Sequence, residues 1–263
     1  MMKKTNSISA LVFLLLCFSL SGCSTLPQTT GPVQPAKRPV SEYVKPGVHY
    51  PIHVYDPWES FNRGMYTFNA GFDEYVLLPI VRTYETITPN FVEDRVSNFF
   101  SNISDIRNLL NAVLQLKGEQ AAQTFARLVY NTTFGIVGLW DPATAMGLPQ
   151  QREDFGLTLG YYGVGTGPYL VLPFLGPSNL RDTTGLVTDS LALSSIDPLR
   201  LNDHPEREIA YFTLNAIQTR QKIDFRYYET GSPFEYGKVR FLYSRMRQFQ
   251  IDVRRPEEGV ELP

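Results

Sequence analysis

Leu20-Ser21-Gly22-Cys23 is the place in this sequence where residue types and spacing point most directly to a covalent event. Lys3 and Lys4 open the chain, an apolar run interrupted only by Ser19 fills residues 11–20, and small residues lead into the cysteine. The run is too short to span a bilayer as a mature helix, so residues 1–22 read as a signal peptide. The four closing residues resemble a bacterial lipobox, in which the cysteine is acylated and becomes the new N-terminus. Ser24 follows, where lipoproteins kept in the inner membrane commonly carry Asp, and this favours the outer membrane. The other cysteine, Cys17, is lost with the signal. With Cys23 acylated, the exported chain has no disulfide frame, thiol nucleophile or cysteine metal site.

The remaining reactive side chains do not assemble into a catalytic pattern. Glu153 and Asp154 are adjacent, and Asp182 and Asp189 stand two helical turns apart, pairs that an exported lipid or cell-wall hydrolase would use. Neither pair has a neighbouring histidine or a metal-ligand cluster, and acidic pairs on helix surfaces are ordinarily solvated. His49, His53 and His204 are scattered, and Pro51 argues against a helix presenting the first two together. Neither His-Glu-x-x-His nor Gly-x-Ser-x-Gly occurs. Gly163, Gly165 and Gly167 are evenly spaced, but Pro168 fills the position of the third glycine of a dinucleotide loop, and no Gly-Lys-Ser/Thr follows. Asp182-Thr183-Thr184-Gly185 matches an aspartic-protease loop only with an extra residue, and has no second copy. No catalytic residue, metal or cofactor is expected. A net charge of -2 provides no basic field, so no nucleic-acid partner is expected either.

The elements that must hold these positions are legible in outline. Residues 23–55 carry Pro27, Pro32, Pro35, Pro39, Pro46 and Pro51 among Thr, Gln, Lys and Gly. They have little to bury and read as a lipidated, extended tether. Residues 56–255 are enough for one sizeable core, with a flexible tail over 256–263. Asp56-Pro57-Trp58-Glu59 offers a helix N-cap, a proline at the first helical position and a capping glutamate; Asp203-His204-Pro205-Glu206 and Ser232-Pro233-Phe234-Glu235 repeat the cap-and-glutamate spacing. Thr88-Pro89 and Asp141-Pro142 supply cap and proline alone. Long helices are predicted over about 57–76, 89–117, 204–223 and 233–252, and shorter ones near about 79–86, 119–130, 151–161 and 179–192. Residues 170–174 are a candidate extended segment, and no alternating pair suggests a sheet. The fold class is mainly α.

Residues 155–178 break the helical pattern, setting three tyrosines, two phenylalanines and three prolines among closely spaced glycines. Glycine relaxes the limits on φ and proline fixes it, so this is a shaped piece of backbone: either the wall or rim of a site, or a tightly folded core turn. The first long helix places Trp58, Phe61, Met65, Phe68, Phe72, Tyr75 and Val76 at helical spacing, with Asn62, Asn69 and Asp73 on an adjoining stripe. Buried amides are costly unless bonded, so that stripe either bonds neighbouring backbone or lines something wet. The second helix, about 28 residues and roughly 40 Å long, sets Val92, Val96, Phe99, Ile103, Ile106, Leu110 and Val113 opposite Ser97, Ser101, Ser104, Asn108 and Asn111. Asp105 and Arg107 sit mid-helix, each costing about 2.5–3.5 kcal/mol at a bilayer centre, so it does not span a membrane alone. Core packing is the default for this second helix and contact with a membrane interface the sharper alternative; the wide apolar faces of both helices lead to the expectation that both contact the membrane interface.

These motifs recur together in one family. Asp56-Pro57-Trp58-Glu59-Ser60-Phe61-Asn62-Arg63, with Met65-Tyr66 and Phe68-Asn69 after it, resembles the opening of the MlaA (VacJ) family of outer-membrane lipoproteins. Asn98-Phe99, residues 108–115, and Arg127 with Asn131, Gly135 and Gly138 continue the likeness. So, most closely, does the run from Asp154-Phe155-Gly156 through Gly160-Tyr161-Tyr162-Gly163-Val164-Gly165-Thr166-Gly167-Pro168-Tyr169 to Leu172-Pro173, Arg181-Asp182 and Asp189. Ser60 stands where the family often has Pro or Gly.

The resemblance implies a single ring-like helical domain with an amphipathic central channel, held on the periplasmic side in the inner leaflet of the outer membrane. It implies removal of misplaced glycerophospholipid from the outer leaflet, delivery to a soluble periplasmic phospholipid carrier, and for some members association with a trimeric porin. With no nucleotide site in the chain, energy comes from elsewhere. On that reading Cys23 is lipidated, and the candidates for the lipid passage are Asn62, Phe68, Asn69, Asp73, Gly160, Tyr161, Gly163, Gly165, Gly167, Tyr169, Pro173, Arg181 and Asp182. The alternatives are a structural envelope lipoprotein and an exported hydrolase.

Overall fold

The computed structural model describes residues 54–229, 232 and 234–255. Cys23, the tether before residue 54 and the tail after residue 255 lie outside them. Helix α1 (Glu59–Phe72) runs through a π turn (Asp73–Leu77) into α2 (Leu78–Ile87). There follow α3 (Asn90–Leu114), α4 (Gly118–Thr133), the short α5 (Pro142–Ala145) and α6 (Phe155–Tyr161). Strands β1 (Tyr169–Leu172) and β2 (Gly176–Asn179) lead to α7 (Leu180–Ile196), α8 (Pro205–Gln221) and α9 (Glu235–Asp252). The fold is mainly α, as the sequence indicates. Helix α3 packs on α4 and also meets α6, α7 and α8; α6 packs on α7, α2 on α8, and α9 reaches α6 and β2.

Local chemistry explains where these elements start, and where the sequence reading goes astray. Asp141 caps α5, accepting from the Thr144 amide as its Asp-Pro signal indicates. Asp56 does not cap α1, whose N-cap is Trp58 without a side-chain bond. Its carboxylate turns inward and accepts from Asn62 Nδ2 (2.8 Å), Arg240 Nη1 (2.8 Å) and the Tyr236 hydroxyl, tying the opening motif to α9. Order begins before Asp56: Tyr55 O accepts from the Tyr169 amide at 3.0 Å, and Val54 packs on the aromatic core. The predicted break between residues 76 and 79 is absent. A π turn stands there, and Pro79 falls in the first turn of α2, where a missing N–H is tolerated. Residues 151–154, predicted as helical, lie outside α6 because the helix starts only where Asp154 caps it, accepting from the Leu157 amide at 2.8 Å.

The expectation of no sheet is corrected. β1 and β2 pair antiparallel, with Tyr169 opposite Asn179 and Leu172 opposite Gly176. Each strand has only four residues, and β2 carries Gly176 and Pro177, types depleted in strands. A helix completes the pairing. Asn62 Oδ1 accepts from the Val171 amide (2.9 Å) and its Nδ2 donates to Tyr169 O (3.0 Å). Two turns along α1, Asn69 accepts from the Phe174 amide (2.8 Å) and donates to Leu172 O (2.9 Å). Asp73 meets Arg220 through two bonds, at 2.6 and 2.9 Å. All three side chains are buried and bonded to protein, which is the backbone-bonding alternative for this stripe. Asn62→Ala strands two buried backbone groups, each worth about 1–3 kcal/mol. It is expected to lower the thermal midpoint by at least about 4 °C, given about 2–4 °C per kcal/mol for a domain of this size. Circular dichroism melts against Ser60→Ala, an exposed neighbour, check this.

Burial is inverted along the first helices. Among the described residues, 21 polar or charged residues are buried against 13 apolar ones. The aromatic stripe of α1 and the π turn after it faces outward: Phe61 is 55% exposed and Tyr75 67%, while Asn62 is fully buried at 0%. The alternative of ordinary core packing is therefore not met by the apolar face of α1. Helix α3 divides: Phe100 and Ile103 are buried, Leu110 and Val113 are exposed, and Asn102, Asp105, Asn108 and Asn111 point inward. Arg127 of α4 pairs there with Asp105 (3.2 Å) and Asp141 (3.1 Å). The apolar core is small and aromatic, with Tyr66 edge-on to Tyr227, Tyr228 and Tyr236.

Candidate functional site

The glycine-rich segment is held by one arginine of α9. Arg247 donates from both terminal nitrogens to Asp154 at 2.8 Å, and from Nε and Nη2 to Asp182 at 2.8 and 2.9 Å. Asp182 also accepts from Arg181 Nη2 (2.9 Å), the Tyr243 hydroxyl (2.8 Å) and Asn179 Nδ2 (2.7 Å). Asn179 in turn caps α7 through the Asp182 amide. The caps of α6 and α7 thus end in one cluster with α9. Sequence reasoning singled out Asp154, Arg181 and Asp182 but missed Asn179, Tyr243 and Arg247, because no local spacing announces a contact across 65 or 93 residues.

The carboxyls of this cluster respond to their surroundings in opposite ways. Burial pushes Asp154 and Asp182 up, but the hydrogen bonds and charge of Arg247 outweigh it and hold both below the usual carboxylate range. Burial also pushes Asp189 up, and bonds from the Phe155 amide and Asn111 offset this only in part, so it stays raised. Asp154 and Asp182 therefore stabilise the fold above the unfolded carboxyl value of about 4, and that contribution disappears as pH falls through their lower folded values. Asp189 has the opposite sign: its ionised form is penalised in the fold, and the penalty disappears on protonation. Calorimetric melts from pH 6 down to pH 3 are expected to show a falling midpoint in the wild type and a shallower fall in Asp182→Asn. Equal slopes would remove the cluster as the acid-sensitive element.

The glycines serve two different purposes. Where α6 crosses α7, a Cβ on Gly185 would run into the Gly156 amide nitrogen and lie 2.7 Å from its Cα. A Cβ on Gly160 would lie 2.9 Å from Ile251 Cγ1. These are contact glycines. Gly163 and Gly167 instead occupy the left-handed region (φ +88° and +66°), in the exposed loop joining α6 to β1. Gly165 lies between them with no atom within 4 Å of where a Cβ would stand.

The residues nominated from the sequence divide accordingly. Asn62, Asn69, Asp73, Gly160, Tyr169, Arg181 and Asp182 are buried in the framework. Phe68, Gly163, Gly165, Gly167 and Pro173 are exposed, and Tyr161 is half-buried with Lys117 over its ring at 5.2 Å. Phe68 and Phe72 meet Phe174 at the hairpin tip, with ring centroids 5.3 and 4.7 Å apart. Two apolar grooves lie elsewhere, along α3. One, about 420 Å³, runs between α3 and α4 past Ile103, Ile106, Leu128, Val129 and Pro198. The other, about 380 Å³, runs between α3 and α8 past Val96, Phe99, Phe100, Tyr211 and Leu214, and Leu199 borders both. None of the nominated residues lines either groove, although Val96, Phe99, Ile103 and Ile106 belong to the apolar face read from α3. Among the described residues, no group of acidic or histidine side chains could hold a metal, and no helix is long and apolar enough to cross a membrane.

The family model for the MlaA lipoprotein matches residues 54–250, from the strand-edge contact of Tyr55 to beyond Arg247. The chain belongs to the MlaA lipoprotein family. A solved structure described as the structural basis for maintenance of bacterial outer membrane lipid asymmetry matches it with a TM-score of 0.62 and 30% identity, covering 75% of this chain and 100% of that one. The intermembrane phospholipid transport system lipoprotein MlaA of Escherichia coli K12 is 38% identical over 175 residues, 64% of this chain and 66% of the relative. An uncharacterised protein of Rickettsia conorii is 37% identical over 202 residues, 76% of this chain and 79% of the relative. The MlaA match includes the glycine-rich loop, the hairpin and both α3 grooves.

Proposed function

We propose that this protein withdraws misplaced glycerophospholipids from the outer leaflet of the outer membrane and passes them to a soluble periplasmic carrier. It works as a lipoprotein anchored through Cys23 in the inner leaflet, on the periplasmic side, and maintains outer-membrane lipid asymmetry. The observation that carries this reading is the inverted burial. Trp58, Phe61, Phe68, Tyr75, Phe91 and Phe174 expose aromatic surface of a kind that marks a membrane or partner contact. Acyl chains are the medium in which such a surface is favourable, and polar side chains that pair with one another inside the protein are what that medium demands. The names of the MlaA relatives support lipid transport, and a trimeric porin is proposed as a membrane partner on family resemblance. The reading is non-enzymatic: moving a lipid breaks no bond, and the carboxylates that looked available for hydrolysis, Asp154 and Asp182, are occupied by Arg247.

The test is a transfer assay. Full-length lipidated protein is placed in vesicles containing labelled phospholipid and mixed with an acceptor carrier. Intact phospholipid is expected on the carrier at a rate that rises with protein. Cleaved lipid would identify a hydrolase instead, and neither transfer nor cleavage would leave a structural envelope lipoprotein.

A further inference from the structure

Arg207 borders one apolar groove, Arg107 lies on the neighbouring turn of α3, and neither forms an ion pair among the described residues. The groove between α3 and α8 is walled by Val96, Phe99, Phe100, Tyr211 and Leu214, and Arg207 shares that wall. Arg207 and Tyr211 stand one turn apart on α8 and so lie on one face. On α3, Arg107 continues the stripe of Val96, Phe100 and Ile103 at helical spacing. It lies close enough to Tyr211 to oppose the rise that burial imposes on that phenol. Arg107 Nε is buried without a hydrogen-bond partner. Among the described residues neither Arg107 nor Arg207 forms an ion pair. Asp189 feels the Arg107 charge, but its two oxygens accept from Asn111 and the Phe155 amide. The contrast within the molecule is plain: the buried arginines 127, 181, 220 and 247 each hold an aspartate.

Arg107 is half-buried with its Nε withdrawn from water and without an acceptor, and Arg207 stands exposed at the groove, so this arrangement suits an anion that arrives from outside the chain. The planar fork of arginine fits two oxygens of a phosphate. The groove beside it fits hydrocarbon. One molecule that presents both is a phospholipid. We infer that Arg107 and Arg207 take the phosphodiester of a glycerophospholipid while an acyl chain lies in the α3–α8 groove, against Phe99, Phe100 and Leu214. This rests on the lipid-transport reading and locates the head group away from the glycine-rich loop.

The experiment uses the full lipidated protein, extracted in mild detergent, with copurifying phospholipid counted per protein by phosphorus assay and mass spectrometry. Arg107→Met with Arg207→Met is expected to reduce bound phospholipid about tenfold, equivalent to about 1.4 kcal/mol. Arg107→Lys alone, which keeps the charge, is expected to retain most of it, and Arg82→Met, on an exposed face, all of it. The double methionine variant is expected to keep the delipidated melting temperature, because no internal partner is lost. A lowered delipidated melting temperature would show an internal structural role and overturn the site. So would wild-type lipid content in the double variant, while continued transfer to the carrier would leave the transport reading standing. Complete release of lipid by excess inorganic phosphate would reduce the site to a simple anion site and overturn the groove assignment. Wild-type protein that neither copurifies nor transfers phospholipid would overturn both readings.

Discussion

Arg247→Met is expected to lower the thermal midpoint by about 10 °C and to abolish lipid transfer. The residue is 8% exposed and bonds two carboxylates, the Asp154 cap of α6 and Asp182 of α7. Removing one partner of a buried ion pair costs about 3–5 kcal/mol, because the other charge stays buried without compensation. The Asp154 side chain is 30% exposed, so water screens its share and most of the loss comes from Asp182. At about 2–4 °C per kcal/mol the expected shift follows. A typical domain holds about 5–15 kcal/mol, so the protein should still fold at low temperature. Arg247→Lys keeps the charge without the fork and should fall between wild type and methionine. Adding Asp182→Asn to Arg247→Met should recover part of the loss, since the stranded charge is then gone. Differential scanning calorimetry decides: a shift under about 2 °C in Arg247→Met would mean that α9 is not the clamp on α6 and α7 that the geometry shows.

Gly185→Ala is expected to give no folded protein, and Gly165→Ala to be as stable as wild type. The first methyl has to enter the backbone of Gly156, where neither helix can yield without breaking the cap cluster behind it. The second enters open space at a residue without positive φ. Gly167→Ala lies between, since its φ of +66° is strained for alanine and Leu180 Cβ is 3.1 Å away. A loss of more than about 0.4–1 kcal/mol is expected there. Lipid transfer measured beside the melts separates shape from stability. Gly165→Val, folded but unable to transfer, would place a lipid path at this loop. Full transfer with an unchanged midpoint would make it a permissive connection. A Gly185→Ala protein with wild-type melting would mean that the α6–α7 crossing is looser than these contacts imply.

What the sequence disclosed was governed by distance along the chain. Helices showed because a cap or a periodic stripe is a signal within one or two turns: Asp141 before α5, and the wide apolar face of α3. The sense of the faces did not show. A helix packed with its amides inward and its aromatics outward has the same periodicity as its opposite, so periodicity alone does not say that Phe61 of α1 and Tyr75 of the π turn are exposed. The hairpin did not show because four-residue strands holding Gly176 and Pro177 are stabilised by Asn62 and Asn69, more than 100 residues away. The same holds for Arg220 with Asp73 and Arg247 with Asp182, whose partners are defined only after folding. The glycine-rich segment is legible as shaped backbone, but contact glycines such as Gly160 and Gly185 cannot be told from loop glycines such as Gly163 without the helices they face.

The amides of α1 that close the outer edge of β1 also bear on how copies of this protein behave when crowded. An open strand edge offers a row of donors and acceptors to any extended peptide and so templates intermolecular β-pairing. Here that row is already occupied by Tyr55 O, Asn62 and Asn69. The hairpin can thus carry an exposed Phe174-Leu175 tip without recruiting a third strand along β1. The protection also depends on helix α1 staying wound. If α1 frayed, the amides would lose their register and β1 would become a sticky edge beside an aromatic surface. Aggregation of this chain would then be nucleated by unwinding of a helix rather than by exposure of a strand.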